Sequence, residues 1–549
     1  MFFLPGILLA SMGFGAEADV RVAAGRSVKL LQQAMNQWKQ DCVSCHHQTL
    51  PVIALGVARE HGIAIDEAAA QAASNAIFAK LYSSTDNAVQ YPMAIDPGIT
   101  DGHELTAAHA AGVKPSLTTR IAARRLARWQ KPDGSWALSD GRPPASSSKF
   151  TSTALSARAV SLYAPSPQPT LGRARQWLLQ TKPHSMEDHT YRLLGLLWTA
   201  APEAERKRAA SQLLALANAD GGWSQEPGLP SDPYSTAQAS FALRHAAGLQ
   251  APKAIDYLLR TQKADGSWLA ETRIHTQAPI SPPYFDSGFP HARNQFLSCA
   301  ATAWAVMALA ATLPRSPKAP LPVTSALPKD AAPWMESLTD PKPSTSGGTT
   351  ALMLAAHDPA LVKALLDRGA DVKARAKSGF DALTAAAQYP GNAETLRLLL
   401  ARGAETKPGA GKRFPLTPLT FTAMHGDVAM AEILLKHGAS PEQPSTVLGF
   451  IPVRPFESAS LFEHEAMMRA LVRHGAKADS LDPMKMTPLS WAALQHKSTA
   501  AGVLLELGAN PNHIDGLKLT PLQHTTAIRH SSSETAAKLR AAGARSPAR

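Results

Sequence analysis

Between residues 24 and 312, apolar side chains recur at three- and four-residue intervals, the spacing of a helical face. The pattern predicts helices over 28–38, 50–59, 67–81, 118–129, 151–163, 171–179, 191–200, 204–217, 237–247, 254–259 and 300–313. They pair into about six hairpins, the second weakly marked, and no alternating run predicts a sheet. Beyond residue 346 the pattern changes to a repeat of about 33–37 residues.

Loops between the hairpins repeat as well. Gln130-Lys131-Pro132-Asp133-Gly134-Ser135-Trp136 recurs as Gln262-Lys263-Ala264-Asp265-Gly266-Ser267-Trp268, and Asp220-Gly221-Gly222-Trp223 keeps the Asp-Gly-x-Trp part. In each, glycine supplies a left-handed turn after a helix and tryptophan folds back onto the helix pair, while glutamine can bond backbone at a helix end. These segments resemble the QW-type repeats of terpene and squalene cyclases and of protein prenyltransferase β subunits, over roughly residues 25–313. The resemblance implies an α/α toroid whose inner helices surround a cavity that admits an apolar small molecule, with the loops forming its rim. It does not by itself carry over an activity. The cyclase DxDDTA acid motif corresponds to Asp232-Pro233-Tyr234-Ser235-Thr236-Ala237, where Tyr234 and Ser235 replace the middle carboxylates and neither is a strong acid. Of the prenyltransferase zinc set only Asp232 remains, because Tyr234 stands at the cysteine position and Cys299 lies within an apolar helix. Asp232 therefore reads first as a helix cap and, with Asp286, only as a weak catalytic candidate. Asp188, His189, Tyr284, His291 and Asn294 occupy other rim loops.

Residues 314–346 carry eight prolines and read as a semi-stiff linker that could dock Trp334 on either flank. The following period is marked by Leu-Leu-x-x-Gly-Ala, as at Leu365-Leu366 with Gly369-Ala370 and at Leu504-Leu505 with Gly508-Ala509. Upstream stand Thr350-Ala351-Leu352, Thr417-Pro418-Leu419, Thr487-Pro488-Leu489 and Thr520-Pro521-Leu522. Residues 347–545 thus resemble ankyrin repeats, which implies a solenoid whose function is protein recognition, or alternatively a spacer that stabilises the toroid. The fourth repeat lacks Thr-Pro-Leu over 450–462, so its loop is expected to be longer or specialised. The fold class is all-α: a toroid over 24–313 followed by an ankyrin solenoid of about six repeats.

Composition narrows the function. With 45% hydrophobic and 18% charged residues the chain can bury large cores, and no apolar run reaches the roughly 18 residues of a membrane span. The net charge of +12 is spread among acids. Its densest run, from Arg120 to Arg128, reads as a solvated helix face, and nucleic acid is not an expected partner. Residues 1–18 read as a secretory signal peptide lacking the usual positive n-region, which places the protein in the periplasm.

Of only three cysteines, two fall in Cys42-Val43-Ser44-Cys45-His46. CxxCH is the attachment spacing of haem c: two thioethers hold the porphyrin and the histidine ligates iron. Zinc would need four ligands and a redox pair would need a βαβ setting, while a structural disulfide across the short loop, in an oxidising compartment, is the other alternative. The candidate second iron ligand is Met93, with His47, His61 and His103 as imidazole alternatives. The pentapeptide stands where other hairpins carry Asp-Gly-Ser-Trp, at the toroid rim. These features predict electron transfer or haem-linked oxidation, with the array docking a protein. The alternatives are an isoprenoid cyclase-like enzyme using a different acid, or a non-catalytic interaction scaffold.

Overall fold

A computed structural model describes residues 14–37, 45–82, 84–91, 96–139, 143–145, 147–274, 288–316, 332–407, 416–447, 451–526 and 534–545. Its first half alternates outer and inner helices. The hairpins are α1 (Phe14–Gln37) with α2 (Leu50–Glu60); α3 (Glu67–Tyr82) with α5 (Pro97–Ala110), joined through short α4 (Thr85–Gln90); and α6 (Leu117–Arg128) with α7 (Lys149–Tyr163). They continue as α8 (Gln168–Gln180) with α9 (Met186–Trp198), α10 (Glu203–Leu214) with α11 (Pro233–Ala247), and α12 (Pro252–Thr261) with α13 (Gln295–Ala310). Each inner helix packs on the next, and α13 returns to α2, so the ring closes as a toroid.

Burial follows this layering. Every residue of α13 is buried, whereas α10 buries only Ala209, Ala210 and Leu213. A helix apolar on all sides belongs in an interior, and one with a narrow stripe belongs on a surface. Two helices depart from the sequence expectation. The helix expected over 28–38 starts at Phe14, inside the segment read as a signal, because Val20, Ala24, Val28 and Leu31 form one buried stripe in which alanine gives little hydrophobic contrast. The inner helix α5 has no counterpart among the predicted segments: Asp101, His103 and Glu104 make it look solvent-facing, yet all three are buried.

The repeated loops build the ring mechanically. Trp136, Trp223 and Trp268 are buried, and each indole N–H donates to the carbonyl ten residues earlier at the end of an outer helix: Leu126 at 2.7 Å, Leu213 at 2.9 Å and Leu258 at 2.9 Å. Their backbone N–H groups donate to Thr153, Thr236 and Thr302 on inner helices. Gly134 has φ +96°, and a Cβ there would collide with the Arg173 carbonyl of the next outer helix. Gly266 meets Arg26 of α1 in the same way, and Gln262 Nε2 donates to Ala23 O at 2.9 Å. The last repeat thereby fastens onto the first helix.

The second half stacks helix pairs. They are preceded by α14 (Pro333–Ser337) and comprise α15 (Ala351–Ala355) with α16 (Pro359–Asp367), α17 (Ala382–Ala387) with α18 (Ala393–Ala401), and α19 (Pro418–His425) with α20 (Val428–Lys436). After them come α21 (Pro455–Leu461) with α22 (Glu465–Arg473), α23 (Pro488–Leu494) with α24 (Ser498–Glu506), and α25 (Pro521–His524) with α26 (Glu534–Ala541). Thr350, Thr417, Thr487 and Thr520 cap the first helices, and Asp381 does so in the second repeat through Thr384 N at 2.8 Å. Before the irregular fourth repeat the chain forms an antiparallel ribbon, β1 (Ser445–Val447) with β2 (Ile451–Val453), and Glu457 accepts from Arg454 N in place of the threonine cap. Part of the segment read as linker is not a linker: Met335 of α14 is buried in the solenoid core beside the first repeat.

Replacing Trp268 by Phe is expected to cost about 1 kcal/mol, the net worth of the lost hydrogen bond. Replacement by Ala is expected to cost about 3–5 kcal/mol through the cavity. Chemical denaturation of both variants checks this, and an undiminished stability in the Phe variant would mean that the indole N–H contributes nothing.

Candidate functional site

The CxxCH pentapeptide straddles the edge of the described residues. Cys42, Val43 and Ser44 lie outside them, as do the side chains of Cys45 and His46, and Met93, Tyr284 and Asp286 also lie outside. The backbone from Cys45 to Thr49 forms a π-helical turn that leads into α2 and packs against α1, α5 and α13. Turns of this kind are rare and concentrate at functional sites. His61 is the C-cap of α2, a full helix of about 16 Å from that turn, and its Nδ1 lies 2.8 Å from Leu313 O.

The helix α5 brings buried chemistry that composition hides. Arg125 pairs with Asp101 at 3.2 Å, both side chains 5% exposed, and its other nitrogen donates to Ala88 O. Burial raises the Asp101 carboxyl although Arg125 opposes the shift. Glu104 is pushed well upward by burial and then by Asp101, against the opposing charge of Arg125. His103 Nδ1 has no hydrogen-bond partner among the described residues, and burial lowers this imidazole to about 4, which keeps it neutral.

A second group lines inner helices α7, α9, α11 and α13. Glu187 accepts from the Thr151 hydroxyl, and Tyr234 sits near Glu187, Tyr191 and Gln238. The Trp304 ring meets Tyr191 edge-on at 6.3 Å and Phe241 at 5.7 Å. Burial is the largest cause raising the Tyr234 hydroxyl. Sequence reasoning passed over Glu187 and Gln238, because α9 and α11 carry several other polar residues and nothing local marks these two as buried.

Asp232 caps α11, accepting from Ser235 N at 3.1 Å and from its hydroxyl at 2.7 Å. Burial nevertheless raises it to about 6. The other rim residues also have local partners: Asp188 accepts from Ser185 N at 3.1 Å, Asn294 from Thr272 N at 3.1 Å, and His291 Nε2 lies 2.7 Å from Ser267 Oγ. Burial raises the Cys299 thiol, and no cluster of three metal-ligating side chains occurs among the described residues.

Toroid and solenoid meet over a polar, buried seam. Asp86 of α4 accepts from Gly347 N at 2.9 Å, from Thr349 N at 3.3 Å, and from the Thr345 and Thr349 hydroxyls; a Cβ on Gly347 would collide with that carboxylate. Gln90 donates to Thr349 Oγ1 and accepts from Ser378 Oγ. Gln388 donates to Val89 O at 3.0 Å, and Trp129 Nε1 donates to Gln388 O at 2.7 Å. The Trp129 ring then stands edge-on to His425 and Phe462, and Lys497 donates to Leu138 O. The basic run on α6 is therefore not a solvated face: Arg120 pairs with Glu336, Arg124 and Arg128 reach His357, and Arg125 is buried.

Residues 331–410 match the family model for ankyrin repeats in three copies, and residues 416–445 match that for a single ankyrin repeat. The C-terminal region consists of ankyrin repeats. Drimenyl diphosphate synthase of Streptantibioticus cattleyicolor is 40% identical over 65 residues, 12% of each chain. Ankyrin repeat and SOCS box protein 16 of Mus musculus is 35% identical over 123 residues, 20% of this chain and 26% of that one. The chain thus spans 12% and 26% of the lengths of these two relatives. The human ASB11 ankyrin repeat domain, a solved structure, is 22% identical with a TM-score of 0.34, covering 40% of this chain and all of that one. No described helix is long and apolar enough to cross a membrane.

Burial lowers three histidines at the seam: His357 to about 4, beside Arg124 and Arg128; His425 to about 4, near Asp427; and His464 to about 3, near Lys131 and Lys149. The folded chain keeps them neutral while the unfolded chain protonates them near 6.5, so their contribution is present above that pH and is lost as pH falls toward 4. Protection factors at Gly347 and Thr349, taken relative to intrinsic exchange at each pH, are expected to fall from pH 7 to pH 4.5, and His464→Gln is expected to flatten that response.

Proposed function

We propose that the chain is a protein-interaction scaffold in which the ankyrin array, braced by the toroid, holds a protein partner. The array itself supports this reading: repeats of this kind bury a shared core and leave their loops for recognition. The toroid supports it by fixing the array through the Asp86, Gln90 and Trp129 contacts rather than letting it hang on a linker. An exported location, suggested by residues 1–18, belongs to the same proposal. A defined protein that co-purifies with the full chain at constant stoichiometry, and is lost when residues 347–545 are removed, is the expected outcome; retention by the toroid alone would count against it.

The motif Cys42-Val43-Ser44-Cys45-His46 favours a second reading, in which the scaffold carries haem c at the toroid rim. The donor chemistry fits: iron takes a neutral imidazole, and the buried His103, with its Nδ1 unpartnered among the described residues, stands on a helix packed against the Cys45–Thr49 turn. Cys42 and Cys45 would tether the group, His46 would ligate it, and His103 or Met93 would supply the second ligand. Leu50, Val52 and Leu55 of α2 would keep water away. Bound there, haem would supply one-electron chemistry.

Isoprenoid cyclisation, which the short similarity to drimenyl diphosphate synthase brings into view, has less support. Asp232 is committed to capping α11, and a carboxyl near 6 is a weak acid for protonating an alkene. Protein from a host that attaches haem c is expected to show a pyridine haemochrome spectrum that survives acid–acetone extraction and disappears in Cys42→Ser. Colourless protein from that host would remove the haem reading and leave the scaffold reading standing.

A further inference from the structure

The finger-like loops that precede each first helix can be compared by counting back from the capping residue. Three positions before the caps Thr350, Asp381, Thr487 and Thr520 stand Gly347, Ser378, Met484 and Leu517. In the first two repeats this position is occupied by the toroid: Gly347 N donates to Asp86, and Ser378 Oγ donates to Gln90 Oε1 at 2.6 Å. In the last two it carries large apolar side chains that are exposed, Met484 at 37% and Leu517 at 42%. Six positions before the same two caps stand Leu481 and Ile514, exposed at 46% and 54%. These four residues therefore repeat in register on adjacent fingers, which are linked by Gly516 N donating to Met484 O at 2.8 Å.

A second observation concerns the next position along. Where the first two fingers have Gly348 and Gly379 in the left-handed region, the last two have Lys485 at φ +58° and Lys518 at φ +61°. An ordinary side chain held there is strained, and such strain concentrates at binding sites. Both lysines are exposed, and neither forms an ion pair among the described residues. The neighbouring acids are consumed inside the fingers. Asp482 accepts from Met484 N, Met486 N and Trp491 Nε1, and Asp515 accepts from Leu517 N and Leu519 N and pairs with His524. The surface left over is apolar and basic.

We propose that the fingers of the fifth and sixth repeats, through Leu481, Met484, Ile514 and Leu517 flanked by Lys485 and Lys518, dock an acidic segment of a partner protein that presents apolar side chains. This deepens the scaffold reading and rests on it. The occupant of the first fingers shows the chemistry: α4 brings the Asp86 carboxylate to finger N–H groups and buries Val89 in the array core. The ridge used within the chain at one end of the array is continued at the other, where Leu481, Met484, Ile514 and Leu517 are exposed among the described residues. A second copy of the chain would set lysine against lysine, so the complementary partner is acidic.

Fluorescence anisotropy with the full chain and three labelled helical peptides of equal length tests this. One peptide has a Leu/Glu face, one a Leu/Lys face and one a Ser/Glu face. The Leu/Glu peptide is expected to bind about tenfold more tightly than the others, and the double variant Met484→Ser/Leu517→Ser is expected to lose about tenfold. The double variant Lys485→Gly/Lys518→Gly separates binding from folding, since relief of the left-handed strain raises its thermal midpoint while its peptide affinity falls. Equal binding of all three peptides, or affinity unchanged in these variants, overturns the proposal. So does a wild-type dimer in sedimentation that Met484→Ser/Leu517→Ser dissolves. Undiminished peptide binding in the serine variant removes this surface but leaves the array a binding module, whereas a native partner retained without residues 347–545 removes the scaffold reading itself.

Discussion

The indole N–H that reaches back ten residues to the end of its own outer helix is the bond on which the toroid depends. It turns each Asp-Gly-x-Trp loop into a corner of fixed geometry, because the tryptophan is tied at once to the outer-helix carbonyl and to a threonine of the inner helix. The glycine ahead of it lets the next outer helix approach closer than any side chain would permit. Repeated around the ring, this corner sets the angle between hairpins. At Gln262 and Gly266 it is spent on α1, so closure is a local bond rather than a diffuse consequence of packing.

The seam with the array depends on the opposite kind of chemistry. It is built from side-chain amides, a carboxylate and an indole whose partners are backbone groups and hydroxyls in equal measure, placed where water is largely excluded. Such contacts are costly to leave half made, so they hold the two units in one register. They also divide the labour of the array: its first fingers are occupied by α4, and its last fingers keep an apolar, basic edge. Burial at the middle of the seam also lowers His357, His425 and His464.

Local chemistry was legible in the sequence. The helical hairpins, the Trp-Gly corners, the threonine caps and the ankyrin period are all carried by residues close together in the chain, and the spacing of CxxCH is a statement about five consecutive residues. Less legible was whatever depended on a distant neighbour. Helix α5 was not among the predicted segments, because Asp101, His103 and Glu104 interrupt its apolar face, and Arg125, from the next hairpin, pairs with the buried Asp101. The arginine-rich face of α6 misled for the same reason, since Glu336 and His357, its partners, come from beyond the proline-rich segment.

By itself the sequence determined most of the helical segments (α4 and α5 excepted), where they turn and which motif could hold a prosthetic group, since each follows from residues a few positions apart. Tertiary structure decided which polar residues leave water, that the arginines of α6 meet partners from beyond the proline-rich segment, and that α4 fills the first fingers of the array. Those outcomes turn on pairs separated by up to hundreds of residues, and burial is a property of the assembled neighbours rather than of a residue type.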